Sequence, residues 1–289
     1  MARGLDHIVH AVRDLDAAAA LYRGLGFTVG ARNRHPWGTH NHIVQLPGFF
    51  IEILTFAEPD KLGADGFSVN FGARNRDFLK AREGLSFIIL ESKDVEADAR
   101  AFEKAGIAAS QPLSFTREGK RPDGTPVTVG FSLAFARDAM SPLSNFAVCR
   151  QHNPDLFWNA ALQKHPNGAT GIAGAVLTAE NPTDHHIFLS AFVGERDIQS
   201  SSSGVSVATP RGAIQIFDPT AFRDRFGVSL QTHGQGAMIA AIRIAVADPL
   251  VVRKTLRDGG IKTVERGDLS IVVPQDAYGA TLIFEGVSD

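Results

Sequence analysis

Short apolar strands and short amphipathic helices follow one another along this chain in an order that occurs four times. Each copy opens with an apolar strand, continues through an Asp or Asn into an amphipathic segment, and stops that segment at a glycine. The polar residues at the helix starts are Asp14, Asp94, Asn181 and Asp248, and the glycines are Gly26, Gly106, Gly194 and Gly260. The separations from polar residue to glycine are 12, 12, 13 and 12 residues. Four copies at nearly constant spacing indicate an internal repeat.

Each part of the repeat has a physical basis. Asp and Asn side chains accept hydrogen bonds from the free amides at a helix start. Pro182 and Pro249 fit the first helical turn, and glycine provides the left-handed residue that ends a helix. The alternating segments after each glycine, such as residues 41–46 and 49–54, are typical of strands. The pattern therefore predicts an α+β fold built from four βαβββ modules. We expect two paired domains, at 1–157 and 171–289, joined by residues 159–171.

The composition is that of a globular chain, with 44% hydrophobic and 21% charged residues. Twenty-nine basic and thirty-one acidic residues give a net charge of −2, which argues against a broad nucleic-acid-binding face. The single cysteine, Cys149, cannot form an internal disulfide, and this favours a reducing compartment. No apolar run reaches the roughly 18 residues of a membrane-spanning helix, and the N-terminus lacks the apolar stretch of a signal peptide. These features predict a cytoplasmic protein without nucleic-acid or membrane partners.

The paired βαβββ modules resemble those of the vicinal oxygen chelate superfamily, which includes glyoxalase I, extradiol dioxygenases and bleomycin-resistance proteins. The likeness covers nearly the whole chain and is most specific in the first module, at residues 5–16, 34–41 and 50–54. The last two of these segments are similar to those of the glyoxalase-like members. The resemblance implies that two modules curl into a cup, with metal ligands on the first and last strands. Residues 56–84 carry no module but include a predicted helix at 74–82, and we interpret this insertion as a cover over one cup.

The resemblance places a first-strand ligand at His7 and a last-strand ligand at Glu52. Imidazole and carboxylate suit Fe, Mn, Zn or Ni and leave positions open for an oxygen-bearing substrate. Phe87 holds the His7 position in the second module and cannot bind a metal. The last strand of that module offers His152 or Gln151, and we predict His152 as the third ligand because imidazole is the better donor. Glu52 is also the predicted catalytic residue, acting as a base if it leaves the metal.

Other polar residues near these segments have weaker assignments. His10 alternates with apolar neighbours on the strand face opposite His7, so we expect a hydrogen-bonded core histidine. The predicted substrate-binding residues are His35, Trp37, Thr39, Asn41 and Phe87. The adjacent His185 and His186 lie on a predicted helix but outside its apolar face, so we expect both to be solvated.

The second domain has no ligand set in the same alignment. Gly174 and Ala241 stand at the first-strand position, and Ile283 at the last-strand position of the fourth module. Gln215 or Ile216 stands at that position in the third module. We therefore expect this domain to be structural. For Arg243 the alternatives are binding of an anionic group and pairing with an acidic residue across an interface, of which we favour the pairing.

Three classes of function remain open on the sequence. The first is a divalent-metal-dependent enzyme acting on a small oxygen-bearing substrate, as a lyase, isomerase or ring-cleaving dioxygenase. The second is a metal-free protein that sequesters a small molecule, as bleomycin-resistance members do; twenty phenylalanines suit an apolar cavity or an apolar core equally. The third is a scaffold whose second domain only dimerises. The expected partners are a small-molecule substrate and a second copy of the chain in a homodimer.

Overall fold

The computed structural model describes residues 2–120, 124–230 and 236–287. Within these residues the strands form two mixed sheets of eight. The first sheet contains β1 Leu5–Ala11, β2 Asn33–Arg34, β3 Thr39–Leu46, β4 Phe49–Phe56, β5 Gly84–Glu91, β6 Leu113–Lys120, β7 Pro126–Ala136 and β8 Asn145–Gln151. The second contains β9 Ala169–Thr178, β10 Gln199–Ser201, β11 Gly204–Ala208, β12 Ala213–Phe217, β13 Met238–Val246, β14 Val264–Arg266, β15 Leu269–Val272 and β16 Thr281–Gly286.

The α-helices connect and cover these sheets. They are α1 Leu15–Gly24, α2 Arg74–Ala81, α3 Val95–Lys104, α4 Pro154–Phe157, α5 His186–Val193, α6 Pro219–Phe226 and α7 Pro249–Asp258. A π-helix, Ser68–Ala73, leads directly into α2, and short 3-10 turns occupy Pro59–Lys61, Pro182–His185 and Pro274–Asp276. Every helix in the described ranges is too short or too polar to cross a membrane.

The two sheets have the same topology. The strand order is β2-β3-β4-β1-β5-β8-β7-β6 in the first and β10-β11-β12-β9-β13-β16-β15-β14 in the second, so each strand of the second sheet follows its counterpart by eight places. The first strand of each module pairs in parallel with the last strand of the same module, and the two first strands of a sheet pair antiparallel. This arrangement confirms the predicted α+β fold of four βαβββ modules. The division into domains at residues 157 and 171 stays a prediction.

The helix caps lie where the sequence places them. The carboxylates of Asp14 and Asp94 accept hydrogen bonds from Ala17 N and Ala97 N, both at 2.9 Å, and Asp248 accepts one from Leu250 N at 2.8 Å. The third module differs, because Asn181 makes no side-chain cap bond and the helix begins as the 3-10 turn that precedes α5. The repeat therefore specifies the position of each helix even where its capping chemistry varies.

One continuous apolar core lies between the two sheets. Ile8, Ile51 and Ile88 of the first sheet belong to the same buried cluster as Leu177 and Ile242 of the second, together with the buried faces of the helices. The opposite face of each sheet is its cup. We call the face with Val9, Phe50 and Glu52 the first cup, and the face with Val176, Ala241 and Ile283 the second cup. The cups thus face away from the shared core.

The two cups are closed differently. Over the first cup lies the insertion between β4 and β5, whose Phe67 and Phe71 rings contact Trp37 at centroid distances of 4.8 and 6.1 Å. This contact confirms the interpretation of residues 56–84 as a cover. The second cup is filled by α6, whose Phe222 and Phe226 are almost completely buried in it. The structural role expected for the second half stays a prediction.

Candidate functional site

The first cup encloses a small cavity of about 50 Å³. Its lining is mostly aromatic, with a few polar groups at one end. The lining residues are His7, His35, Trp37, Asn41, Ile43, Phe50, Glu52, Phe67, Phe71, Phe115, Arg117, Phe131, Leu133, Cys149 and Phe157. Apolar walls around a few convergent polar groups are the usual form of a small-molecule site.

Strand register brings His7 and Glu52 to this cavity. In the parallel pairing of β1 with β4, His7 lies opposite Phe50 and Val9 lies opposite Glu52. Residues two apart on a strand share a face, so His7 and Glu52 both point into the first cup. Each side chain is only 5% exposed. The two residues that the resemblance selected therefore lie in one buried site.

The neighbouring Asp6 fixes the His7 ring. The Nδ1–H of His7 donates to Asp6 Oδ1 at 2.5 Å, and Gln151 Nε2 donates to Asp6 Oδ2 at 2.9 Å. The ring also stacks on Phe50, with centroids 4.2 Å apart and planes 11° apart. Because Nδ1 carries the proton in the neutral ring, Nε2 is left as the basic nitrogen at the cavity.

Glu52 belongs to a chain of polar contacts along the cavity wall. Asn41 Nδ2 donates to its Oε1 at 2.5 Å, and Asn33 Nδ2 donates to Asn41 Oδ1 at 2.9 Å. Arg117 Nη1 in turn donates to Asn33 Oδ1 at 2.5 Å. Burial raises the pKa of Glu52, whereas His7, the Asn41 hydrogen bond and Arg117 act in the opposite direction. Desolvation is the largest of these effects, so the carboxyl retains its proton to higher pH than a free glutamate.

Arg117 is a site residue that the sequence analysis missed. It lies on β6, and its guanidinium stands 5.9 and 6.0 Å from the ring centres of Phe131 and Phe157. Burial lowers its pKa, and Glu52 partly offsets this. Within the described chain no carboxylate lies within ion-pair distance of Arg117. The only sequence signal is its alternation with Phe115, which places both on the cup face.

The predicted substrate-binding residues divide into two groups. His35, Trp37 and Asn41 line the cavity, whereas Thr39 and Phe87 do not. Thr39 lies behind His35 and hydrogen-bonds its Nδ1 at 2.8 Å. Phe87 is completely buried behind Phe71, with ring centres 5.0 Å apart.

His35 is held as a neutral ring at the cavity. It stacks on Trp37 with centroids 4.7 Å apart. Burial, with smaller effects from Arg117 and His40, lowers its pKa to about 3. His35 therefore offers a neutral imidazole to a ligand across the physiological pH range.

The structure does not bring His152 together with His7 and Glu52, which corrects the predicted ligand set. Cys149 lies on the cup face of β8, and alternation puts Gln151 on that face and His152 on the other. The exposed His152 hydrogen-bonds Ser132 Oγ through Nε2 at 2.7 Å. Of the two residues considered, Gln151 is the one that reaches the site, through its bond to Asp6.

The structure also shows the contacts of three further residues for which the sequence analysis states an expectation. His10 is a core residue as expected: Nε2–H donates to Tyr278 O at 3.1 Å, and Nδ1 lies 2.9 Å from Tyr22 Oη. Arg243 forms an ion pair, as favoured, but with a neighbouring strand of its own sheet: it lies 2.7 and 2.8 Å from the carboxylate of Glu285. The expectation for His185 was wrong, because its side chain is buried and its Nδ1 lies 2.6 Å from Asp138 Oδ2.

The donor set of the first cup falls short of a three-ligand metal site. His7 and Glu52 are ligand types that divalent transition metals accept. In the second module, however, the register gives Phe87 and Ala147 as the equivalents of His7 and Glu52. Among the described residues, no three His, Cys, Asp or Glu side chains are grouped so that they could hold a metal ion. Three protein ligands are the usual minimum for a catalytic zinc site, so we derive no reaction step through a metal.

Comparison with solved structures agrees with the fold. A hypothetical protein from Staphylococcus aureus aligns with a TM-score of 0.70 and 15% identity, covering 99% of this chain and all of the other. A triple variant of 4-hydroxymandelate synthase from Streptomyces coelicolor aligns at 0.61 and 12%, covering 99% and 92%. A fusion of a xylose isomerase-like TIM barrel with 4-hydroxyphenylpyruvate dioxygenase aligns at 0.54 and 15%, covering 92% of this chain and 40% of that one. At these identities the likeness concerns the fold alone.

Sequence comparison identifies the family. No curated protein sequence matches the chain. The family model described as "Glyoxalase-like domain" matches residues 5–192, which is more than half of the chain. This match includes the whole of the first cup and confirms the resemblance on which the site was built. The chain belongs to the Glyoxalase-like domain family.

Proposed function

We propose that the first cup binds a small organic acid, whose compact apolar body suits a cavity of about 50 Å³, and transfers a proton on it, as a lyase or isomerase. The observation that carries this proposal is the hydrogen bond from His7 to Asp6, which orients a basic imidazole nitrogen toward an aromatic cavity. A histidine held by a buried carboxylate is a recurring arrangement for general base catalysis.

The lining defines the expected ligand. Aromatic rings on several sides favour a flat apolar body. Arg117 is a partly buried cation without a carboxylate at ion-pair distance among the described residues, and a ligand carboxylate or enolate oxygen near it would supply the missing charge. The neutral rings of His35 and Trp37 stack at the same wall. Together these groups favour a compact monoanion over a neutral hydrocarbon or a cation.

The proposed step is removal of a proton from a carbon next to a carbonyl. His7 Nε2 takes the proton, and the C–H electron pair moves into the carbonyl to give an enolate. Arg117 stabilises the negative charge from the same cavity. Glu52, whose pKa burial raises, returns a proton at a second position. No oxidant is required. If Glu52 protonates a neighbouring carbon, the sum is an isomerisation; if it protonates a leaving group whose bond to the β-carbon breaks as the enolate electrons return, the sum is an elimination, and in both cases exchange with solvent restores His7 and Glu52.

Binding and proton transfer can be measured without knowing the natural substrate. Trp37 lines the cavity and Trp158 packs on Phe50 at its edge, so tryptophan fluorescence reports occupancy. A panel of small aromatic and aliphatic keto acids is titrated, and bound acids are then incubated in D₂O and followed by ¹H NMR. We expect deuterium at the carbon next to the carbonyl with the native protein, and a loss of exchange of at least about 100-fold for His7→Gln. The matched control is His152→Gln, which lies outside the cavity and should exchange normally.

Two other classes of function are distinguished by this experiment and by elemental analysis. Saturable binding without exchange would replace the enzyme with a sequestering protein. The predicted divalent metal stays a prediction, and elemental analysis of the purified protein tests it. Stoichiometric Fe, Mn, Zn or Ni that is lost in both His7→Ala and Glu52→Gln, and kept in Arg243→Ala, would establish a metal-dependent enzyme instead.

A further inference from the structure

A second cavity, of about 130 Å³, lies behind the cover of the first cup. Phe87 and Phe135 form part of its wall, and the two charged lining residues are Arg74 and Arg137. Arg74 is the first residue of α2, and Arg137 follows β7. Two segments that are far apart in sequence thus present two cations to one small space.

Neither guanidinium forms a hydrogen bond or a salt bridge within the described residues. The nearby carboxylates are committed elsewhere. Asp77 contacts Arg76 at 2.9 Å and Lys80 at 3.1 Å. Asp138 accepts from Ser141 at 2.6 Å and contacts His185 at 2.6 Å. Both cations line the cavity without a salt bridge to these carboxylates, although Asp77 partly offsets the charge at Arg74.

Arg74 is half-buried and Arg137 is exposed, so an anion between them would offset their mutual repulsion. Burial and the charge of Arg137 both lower the pKa of Arg74, with Asp77 acting in the opposite direction. Two like charges close together cost energy, and the cost grows as solvent is excluded. The side-chain donors around them are already used, since Ser144 Oγ donates to Ala237 O at 2.6 Å and Asn145 Nδ2 to Ser86 O at 3.1 Å. The guanidinium groups are the uncommitted donors.

We propose that this cavity binds a phosphate-type oxyanion, held between Arg74 and Arg137. A phosphate dianion matches the two positive charges, and its tetrahedral oxygens accept from two planar guanidinium forks at once. A carboxylate carries one charge and would leave one arginine unpaired. The site is distinct from the first cup, from which Phe71 and Phe87 separate it.

Occupancy of this site would act on the cover. Arg74 directly follows the π-helix that carries Phe71, and Phe71 lines the first cup. An anion bridging Arg74 to Arg137 links the cover to the loop after β7, which is part of the first half's framework. We therefore expect phosphate to stabilise the cover in its closed position over the cavity.

Titration with inorganic phosphate tests the site. Thermal unfolding and isothermal calorimetry are measured for the native protein in phosphate, sulfate and chloride at constant ionic strength. We expect a saturable rise in Tm with phosphate over chloride, and a loss of phosphate affinity of at least tenfold in Arg74→Gln and in Arg137→Gln. The exposed Arg137 can be replaced without disturbing packing, so this variant remains informative if Arg74→Gln folds poorly.

The control is Arg76→Gln, which removes a cation from the same helix outside the cavity. Its phosphate affinity should equal that of the native protein. An equal loss in Arg76→Gln, or the absence of saturable binding by the native protein, would overturn the proposal. A parallel titration with methyl phosphate distinguishes two possible ligands. Tighter binding than inorganic phosphate indicates that the site takes a phosphate ester, and weaker binding indicates that it takes the free ion.

Discussion

Asp6 and His7 are consecutive residues of β1, yet their side chains meet through a 2.5 Å hydrogen bond on the same side of the sheet. Successive residues of a regular strand point to opposite faces. The pairing of β1 with β5 shifts register between Leu5 and His7, and Asp6 is the residue at that irregularity. Such bulges often re-aim a side chain beside an active site. Here the bulge places a carboxylate behind the imidazole that faces the first cup.

Asp6→Asn should separate ligand binding from proton transfer. The amide retains the shape of the side chain but removes the charge that supports His7 as a base. We expect ligand affinity to stay within about threefold and deuterium exchange to fall by at least about 10-fold, a part of the roughly 10²–10⁴-fold that general base catalysis contributes. Fluorescence titration and ¹H NMR measure the two quantities. Asp16→Asn, an exposed residue on α1, is the control, and unchanged exchange in Asp6→Asn would contradict the role of the pair.

The stability of Glu52→Gln relative to the native protein should increase as the pH rises. Burial raises the pKa of Glu52 above its unfolded value, so the folded state holds the proton more tightly than the unfolded state does. Stability from this group is present at low pH and is lost as the pH rises through the folded pKa. The Gln variant lacks this loss and can still accept from Asn41 Nδ2. Urea unfolding at pH 5 and pH 8 should show that the free energy of unfolding of the variant, relative to that of the native protein, is higher at pH 8. An advantage of the variant at pH 5 alone would refute this.

His10 should make the protein sensitive to acid. Burial lowers its pKa from 6.5 to about 4, with its backbone contacts at Tyr278 and Ala277 opposing the change. The unfolded state therefore takes up the proton first, and stability falls as the pH drops from 6.5 to 4. This corresponds to about 3 kcal/mol between pH 7 and pH 4.

The measurement is the free energy of urea unfolding as a function of pH. His10→Gln should flatten the curve in this interval, because Gln can meet Tyr22 and Tyr278 without titrating. His186→Gln, at an exposed position, should leave the curve unchanged. Equal slopes in the native protein and His10→Gln would show that the acid sensitivity arises elsewhere.

Phe222→Ala should weaken the fold without affecting the first cup. Phe222 is completely buried in the second cup. Its truncation removes apolar contacts and leaves a void, which typically costs about 3–5 kcal/mol. We expect that loss in urea unfolding, with ligand affinity in the first cup unchanged wherever the variant is folded. Leu250→Ala, at a side chain 68% exposed, should change stability by less than about 0.5 kcal/mol.

The sequence predicts the modules well because their determinants are local. A cap such as Asp14 contacts an amide only three residues away, and the strand period follows from neighbouring side chains. His7 and Glu52 also line one cavity, but that expectation comes from the family resemblance and not from a local pattern. The modules themselves depend on patterns that extend over a few residues.

The remaining parts of the site depend on long-range contacts. His152 follows the end of β8, where a shift of one residue changes the face to which a side chain points. Arg117 lies on the last strand in the order of the first sheet, and only the curling of that sheet brings it to the cavity. His185 is buried because Asp138, 47 residues earlier, meets it from the other half of the molecule. Local patterns give at most the strand face of such a residue, as the alternation of Arg117 with Phe115 does, and not the contact it makes.

The core shared by the two sheets determines how the molecule unfolds. Separating the half that ends with β8 from the half that begins with β9 would expose apolar faces of both sheets to water. It would also break the hydrogen bonds from Arg3 to Phe192 O and from Ser144 to Ala237 O, which cross between the halves. Neither half retains its buried surface without the other. The two halves should therefore unfold in a single cooperative transition, and damage to the second half should lower the population of intact sites in the first.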